Sequence, residues 1–130
     1  MEDAGLTFDD RLYGLSNYDF ESAYHAMNGL LARRAEFTAL FAMSDVIAFG
    51  AIRALVSAGF RVPQDVSVIG FDGITMSRYC VPVMTTIVQP SEQIALQSIE
   101  LLVRQIEHGT PAQTVTLQPE LQQGESVRAI

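Results

Sequence analysis

Two short and almost continuously apolar segments, residues 37–42 and 66–71, constrain the fold of this chain more than any other feature of its sequence. Runs of this length and composition are typical of parallel β-strands that are covered on both faces. Each lies beside a segment with helical periodicity, and strands that alternate with helices predict an α/β layer with a parallel sheet. A further strand is expected at residues 85–88, with weaker candidates at residues 11–15 and 114–117.

Three segments have the apolar spacing and the terminal residues of helices. The first is predicted to begin after Asp19, and the second runs from its cap Ser44 to about Ala58, because aspartate and serine are common helix caps. The third is expected to be capped by Ser91 and to stop before Gly109. Its apolar stripe consists of Leu96, Ile99, Leu102, Val103 and Ile106.

The second helix is apolar on two sides rather than one. One stripe consists of Ala48, Ala51 and Leu55, and the other consists of Phe49, Ile52 and Val56. A helix that rests on a sheet needs a single apolar stripe, so something else must cover the second. The cover is either a neighbouring segment of the same chain or a second subunit, and the sequence leaves both alternatives open.

Charge and targeting signals limit the classes of protein to consider. The chain has 8 basic and 15 acidic residues, for a formal net charge of −7, and such a surface repels nucleic-acid phosphates. The acidic residues 1–5 lack the apolar core of a signal peptide, and no stretch is long enough to span a membrane. A single cysteine, Cys80, fits a reducing compartment. Together these features favour a cytoplasmic protein that does not enter a membrane.

The sequence contains no recognisable catalytic motif. It has no Gly-x-Ser-x-Gly elbow and no phosphate-binding glycine-rich loop. His25, His108 and Cys80 do not have the spacing of metal ligands. We therefore expect neither an enzyme nor a bound cofactor or metal ion.

Polar side chains follow two of the predicted strands, where ligands of open α/β sheets bind. Asp72 directly follows one strand, and a carboxylate there can accept hydrogen bonds from two hydroxyls, which suits a sugar. Asp72 also precedes Gly73, however, and Asp-Gly is a common turn pair. Ser44 follows the other strand and could serve as a helix cap alone. Asp45 is expected to interact with the helix dipole rather than with a ligand.

Three segments together resemble the Lac/Gal repressor family of bacterial transcription regulators. They are residues 41–55 (FAMSDVIAFGAIRAL), 59–72 (GFRVPQDVSVIGFD) and 82–90 (PVMTTIVQP). Their order and spacing follow the family from Met1 to about Arg128. The resemblance implies a sensor domain with two Rossmann-like lobes, which close on a small-molecule effector such as a sugar.

The resemblance also implies a division of the chain, residues 1–130, as one partial effector-binding domain. Residues 1–89 would mostly form the carboxyl-terminal lobe, residues 91–117 would belong to the amino-terminal lobe, and residues 118–130 would be the return crossing and tail. The expected fold is a Rossmann-like parallel sheet with flanking helices, an incomplete carboxyl-terminal lobe of the type I periplasmic-binding-protein-like fold. The DNA-binding headpiece, most of the other lobe and this lobe's first strand and helix would precede Met1.

The family's effector contacts are carried over position by position. Asp72 stands where the family has its effector-binding aspartate, after a Gly-aromatic pair. Ser44 replaces the asparagine that is most usual in the family. The distance over which this side chain can contact a ligand, or the ligand that it selects, must therefore differ. Tyr18 stands where the family places an aromatic residue against the effector's ring, although a hydrophobic staple or a core position is an equal alternative. Asn17, beside it, is a further candidate.

Family members dimerise through the second helix and the loop that follows the second strand. The resemblance therefore predicts a homodimer interface that includes Phe49, Ile52, Val56 and Cys80. The main alternative function is a periplasmic sugar-binding protein of a transporter, which shares the fold, but the regulator-like residues 61–67 favour a regulator. An enzyme on a flavodoxin-like sheet and a purely structural dimerisation fragment are further alternatives.

Overall fold

A computed structural model describes residues 9–34 and 36–129 of the chain, which contain a four-stranded sheet. The strands, in spatial order, are β1 (Ala39–Phe41), β2 (Ser67–Asp72), β3 (Thr85–Val88) and β4 (Glu120–Gln122). The first three are parallel, whereas β4 pairs antiparallel with β3. The α/β class and the three stronger strand predictions are therefore confirmed. The acidic residues 1–5 lie outside the described residues.

Two of the predicted helices are α1 (Phe20–Ala32) and α2 (Asp45–Ser57). Both predicted caps are confirmed. The Asp19 carboxylate accepts a hydrogen bond from the backbone N–H of Ser22 at 2.7 Å, and the Ser44 hydroxyl accepts one from the N–H of Ile47 at 3.2 Å. Each cap satisfies a first-turn donor that has no partner within its helix, so these side chains fix where the two helices begin.

The two helices pack against each other at Gly50. A β-carbon at this position would lie 2.4 Å from the carbonyl oxygen of Phe20 and 2.8 Å from the β-carbon of Ala23, so any larger residue would push the helices apart. The first apolar stripe of α2 is buried, as predicted, in a core shared with α1 and the sheet. The largest members of this core are Met27, Leu30, Leu55, Val66, Val68 and Met84.

Ser126 connects the carboxyl-terminal segment to the sheet through hydrogen bonds. The Ser126 hydroxyl donates a hydrogen bond to the carbonyl oxygen of Val68 at 2.6 Å and accepts one from the N–H of Thr85 at 2.8 Å. The backbone N–H of Val68 also donates to the Ser126 carbonyl oxygen at 2.8 Å. Because Ser126 is completely buried, these bonds satisfy polar groups that have no access to water.

The third helix, α3 (Ser91–His108), differs from the others because none of its residues is buried. The predicted cap is wrong: Pro90 occupies the N-cap position, and Ser91 is already the first helical residue. The predicted end is confirmed, since Gly109 has a φ of 61°, the left-handed conformation that glycine adopts without strain. The apolar stripe that was predicted along α3 is exposed from end to end.

Two weaker strand predictions are wrong. Asp10–Leu12 forms a 3-10 helix, because the Asp9 carboxylate accepts hydrogen bonds from the backbone and the guanidinium of Arg11 and closes a turn there. Residues 114–117 have no regular structure, since the edge of β3 that a returning strand would use is occupied by β4, which begins at Glu120. A strand forms where a partner offers hydrogen bonds, and apolar composition alone does not provide one.

Candidate functional site

The candidate site lies at the carboxyl ends of β1 and β2. The two strands are parallel neighbours in which Phe41 is paired with Ile69, so their carboxyl ends lie at the same edge of the sheet. β1 is followed by Ser44 at the start of α2, and β2 ends at Asp72. The structure therefore brings these two predicted contact residues to one edge, where α/β folds bind ligands.

Asp72 is held in an unusual conformation with part of its carboxylate unused. Its φ of 109° lies in a region that non-glycine residues rarely adopt. Gln89 holds it in place: the side-chain amide donates to Oδ1 at 2.7 Å, and the backbone N–H donates to the Asp72 carbonyl oxygen at 3.2 Å. No described residue donates a hydrogen bond to Oδ2, which leaves that oxygen available to a ligand hydroxyl.

The turn that follows Asp72 depends on Gly73. This glycine has a φ of 71°, and a β-carbon on it would lie 2.6 Å from Cγ2 of Val88. The expected role of the Asp-Gly pair in a turn is therefore consistent with the local geometry. It does not exclude ligand binding by Asp72, because the turn uses the backbone and leaves the carboxylate at the edge of the sheet.

Ser44 is almost fully buried, with 5% of its surface exposed. Its hydroxyl oxygen caps α2, and no described residue accepts a hydrogen bond from its hydroxyl proton. Ser44 can therefore cap the helix and donate to a ligand at the same time.

Tyr18 and Asn17 lie beside this edge rather than in it. Tyr18 is 64% exposed, which excludes a core position, and its φ is 53°. Together with Met43, the residue before Ser44, it lines an apolar groove of about 370 Å³. The backbone N–H of Asn17 donates to the Ser22 hydroxyl at 2.9 Å, so the start of α1 fixes this segment. Whether either residue contacts an effector stays a prediction.

A functional candidate that sequence reasoning missed is the carboxylate of Asp45. Asp45 is completely buried, although it does stand in the first turn of α2 as expected. Its Oδ2 accepts a hydrogen bond from the N–H of Ile74 at 2.8 Å, and its Oδ1 accepts one from the hydroxyl of Thr86 at 2.5 Å. The only sequence signal was Gly70 in an otherwise apolar strand, since glycine within a strand often marks a close approach.

The second apolar stripe of α2 belongs to an open depression of about 450 Å³, which we call the outer face. The outer face is lined by Phe20, Phe49, Ile52, Arg53, Val56, Met76, Cys80, Val81 and Pro82. The predicted interface residues therefore lie together on one surface, and the segment that ends at Pro82 contributes side chains as apolar as those of α2. Phe49 and Ile52 also pack against the core, whereas Val56 is 52% exposed and Val81 is 94% exposed.

Cys80 has the environment of a packing residue. Its sulfur lies within hydrogen-bonding distance of the carbonyl oxygens of Ser77, at 3.3 Å, and of Pro82, at 3.1 Å. Burial raises the pKa of the Cys80 thiol, so the thiol stays protonated near neutral pH. A protonated thiol is a weak nucleophile, so this environment suits Cys80 to packing rather than to covalent reaction.

Within residues 9–34 and 36–129, no three His, Cys, Asp or Glu side chains are grouped in a way that could hold a metal ion. None of the helices there combines the length and the hydrophobicity that crossing a bilayer requires.

Comparisons with known proteins define the class. Residues 1–127 match the periplasmic binding protein-like domain, and the chain belongs to this family. The chain is 40% identical over 121 residues to the HTH-type transcriptional regulator MalR of Clostridium butyricum, and this alignment covers 93% of the chain and 36% of MalR. It is 36% identical over 128 residues to the HTH-type transcriptional repressor PurR of Edwardsiella ictaluri, and this alignment covers 98% of the chain and 38% of PurR.

The structure agrees with the same class. The solved complex of the transcriptional regulator CelR with cellobiose superimposes with a TM-score of 0.89 at 34% identity, covering 96% of this chain and 38% of that one. The predicted resemblance to the Lac/Gal repressor family and the predicted fold class are therefore confirmed. The chain spans 36–38% of the length of these three relatives, all of which are named as transcription regulators and none as an enzyme.

Proposed function

We propose that this chain is the effector-sensing and dimerising part of a cytoplasmic bacterial transcription regulator whose small-molecule effector is a sugar. The proposal rests on the carboxylate of Asp72. Gln89 donates a hydrogen bond to its Oδ1, and no described residue donates one to its Oδ2. This carboxylate stands at the carboxyl end of β2, beside the end of β1 that leads to Ser44. DNA would be contacted by a headpiece outside this chain, in keeping with its net charge of −7.

The chemistry of the site favours a hydroxyl-rich ligand. Oδ2 of Asp72 can accept a charge-assisted hydrogen bond from a sugar hydroxyl, and the hydroxyl proton of Ser44 can be donated to a sugar oxygen. The exposed ring of Tyr18 can pack on the apolar face of a sugar, with Asn17 as a further polar contact. The CelR structure contains cellobiose, which makes a sugar the first class of effector to test.

Sensing would follow from closure of two lobes on the effector. Residues 1–89 would mostly supply the carboxyl-terminal lobe, and residues 91–117 would cross into the other lobe before residues 118–130 return. The exposed apolar stripe of α3 supports this division, because a helix with such a stripe gains stability by packing on another surface. An effector that binds the closed arrangement more tightly would shift the population towards it and change how paired headpieces are presented to DNA.

Dimerisation through the outer face would couple two such sensors. Val56 and Val81 expose apolar surface on α2 and on the neighbouring loop, where a second copy could bury both at once. A two-fold interface uses the same patch on both subunits, so each apolar residue would be buried twice per dimer. Cys80 would contribute packing surface to this interface.

Calorimetric titration of the full-length protein tests the proposal. The panel includes cellobiose, other sugars and nucleobases, and the variants are Asp72→Ala and the matched control Asp10→Ala, which removes an exposed carboxylate that does not line the groove beside Tyr18. We expect a sugar to bind the wild type and the control alike. Loss of a hydrogen bond to a charged group should cost Asp72→Ala about 1.5–3 kcal/mol of binding free energy. Binding of a nucleobase alone, or sugar binding that is unaffected in Asp72→Ala, contradicts the proposal.

A further inference from the structure

The buried carboxylate of Asp45 joins three parts of the fold. It is the first residue of α2, it accepts a hydrogen bond from the Thr86 hydroxyl in β3, and it accepts another from the backbone N–H of Ile74 in the loop after β2. Removing a carboxylate from water is costly unless partners replace the lost hydration. Here each carboxylate oxygen has one donor, and the start of a helix is a favourable place for negative charge.

The sheet leaves room for this side chain. A β-carbon at Gly70 in β2 would lie 2.2 Å from Oδ1 of Asp45, so no other residue type at that position is compatible with the present place of the carboxylate. The glycine and the carboxylate therefore form one packing unit. This unit offers a second way to perturb the carboxylate, because a methyl group at position 70 would displace it without a change to Asp45 itself.

The hydrogen bond to Ile74 links the two halves of the candidate site. Asp45 follows Ser44 directly in the chain, and Ile74 lies two residues beyond Asp72, separated from it by Gly73. This hydrogen bond therefore connects the segment that contains Ser44 directly to the segment that contains Asp72, in addition to the hydrogen bonds of the sheet. Gln89 holds Asp72 at the start of this loop, and the bond to Asp45 holds Ile74 on the far side of the flexible Gly73, so the two together fix how Asp72 lies relative to α2.

We propose that Asp45 is a positioning residue that fixes Asp72 relative to Ser44 and thereby sets the affinity for the effector without touching it. The inference rests on the proposed function for the identity of the ligand, but the anchoring itself is independent of any ligand. The segment that Asp45 anchors continues through Met76 to Val81 on the outer face, so the same anchor lies between the site and the proposed interface.

The two hydrogen bonds of Asp45 can be separated by substitution. Asp45→Ala removes both, and Gly70→Ala displaces the carboxylate and should weaken both. Thr86→Val removes only the bond to β3 and leaves the bond to Ile74. Asp45→Asn can keep both, because its amide oxygen can accept from Ile74 while its amide nitrogen donates to the Thr86 hydroxyl.

Hydrogen exchange followed by mass spectrometry tests the anchoring in the full-length protein without a ligand. In peptides that contain Ile74, we expect protection from exchange in the wild type, Thr86→Val and Asp45→Asn, and faster exchange in Asp45→Ala and Gly70→Ala. Equal protection of these peptides in the wild type and in both alanine variants overturns the inference. If Asp45→Ala does not fold, the comparison of Gly70→Ala with Thr86→Val decides the question.

Titration with cellobiose tests the consequence for the site. The dissociation constant should rise about tenfold in Asp45→Ala, a loss of about 1.4 kcal/mol, and stay within about twofold of the wild type in Thr86→Val and Asp45→Asn. An equal loss of affinity in Thr86→Val and Asp45→Ala would mean a general structural role and overturns the inference.

A double-mutant cycle separates this inference from the proposed function. If Asp45 acts through Asp72, the double variant with both residues changed to alanine should bind cellobiose no more weakly than Asp72→Ala. Additive losses overturn the positioning role. If the wild type binds neither cellobiose nor any other sugar of the panel, or if Asp72→Ala leaves binding unchanged, the proposed sugar site fails, while the exchange experiment still decides whether Asp45 anchors the loop.

Discussion

The outer face gives a prediction whose size can be calculated from the structure. Val81 is 94% exposed in the single chain, so its methyl groups contribute little to folding and would be buried only by a partner. Val81→Ala removes two methyl groups, each worth about 0.8 kcal/mol when buried, and a two-fold dimer loses them on both subunits. The substitution should therefore weaken the dimer by about 3 kcal/mol, or about 100-fold in the dissociation constant. Phe49 is a poorer choice for this test because it also packs against the core.

Sedimentation velocity over a range of protein concentrations measures this change in association. The matched control is Val127→Ala, which makes the same deletion at a side chain that is 41% exposed and does not line the outer face. We expect Val127→Ala to dimerise like the wild type, and Val81→Ala to keep the wild-type melting temperature at concentrations where both proteins are monomeric. A wild type that stays monomeric at high micromolar concentration refutes the interface, as does a Val81→Ala dimer of unchanged affinity.

Three other predictions concern the site and the stability of the fold. The 130-residue chain alone should not bind cellobiose at micromolar concentrations in calorimetry, because an open site lets water compete for each hydrogen bond; micromolar binding that Asp72→Ala abolishes would refute this. Hydrogen bonds from Arg61 lower the pKa of the Asp65 carboxyl below its ordinary value of 3.8. These hydrogen bonds stabilise the fold above pH 3.8, and their contribution is progressively lost as the pH falls below this value. The difference in unfolding free energy between the wild type and Asp65→Asn, measured by urea unfolding, should therefore shrink from pH 7 to pH 2.5. A constant difference would contradict the assignment. Leu55→Ala should cost about 2–5 kcal/mol of unfolding free energy, whereas Ile106→Ala in this chain should cost less than about 0.5 kcal/mol; equal costs would mean that α3 is docked.

Much of the fold could be predicted because its determinants are local. The apolar runs before Ser44 and Asp72 formed strands, and Asp19 and Ser44 began helices, because caps and periodicity act within a few residues. The strand predicted at residues 11–15 was wrong because a side chain, that of Asp9, closed a local turn instead. The strand predicted at residues 114–117 was wrong because strand pairing depends on which segment reaches the edge of β3.

The candidate site was predictable in place but not in detail. Parallel strands bring their carboxyl ends together, so the sequence was sufficient to place Ser44 and Asp72 at one edge. The hold of Gln89 on Asp72 and the burial of Asp45 depend on the register of β2 and β3, which no local signal specifies. The sequence led us to treat Asp45 as a helix-dipole residue because its partners, Ile74 and Thr86, are distant in the chain.

In the proposed site, Asp72 contacts the effector with Oδ2, the oxygen that Gln89 leaves unused. A crystal structure of the full-length protein with a bound sugar measures this contact directly. We predict a sugar hydroxyl about 2.5–3.0 Å from Oδ2 of Asp72, with the Gln89 amide still on Oδ1. A bound effector whose hydroxyls lie beyond hydrogen-bonding distance of Asp72, with Oδ2 facing solvent or another protein group, would contradict the account.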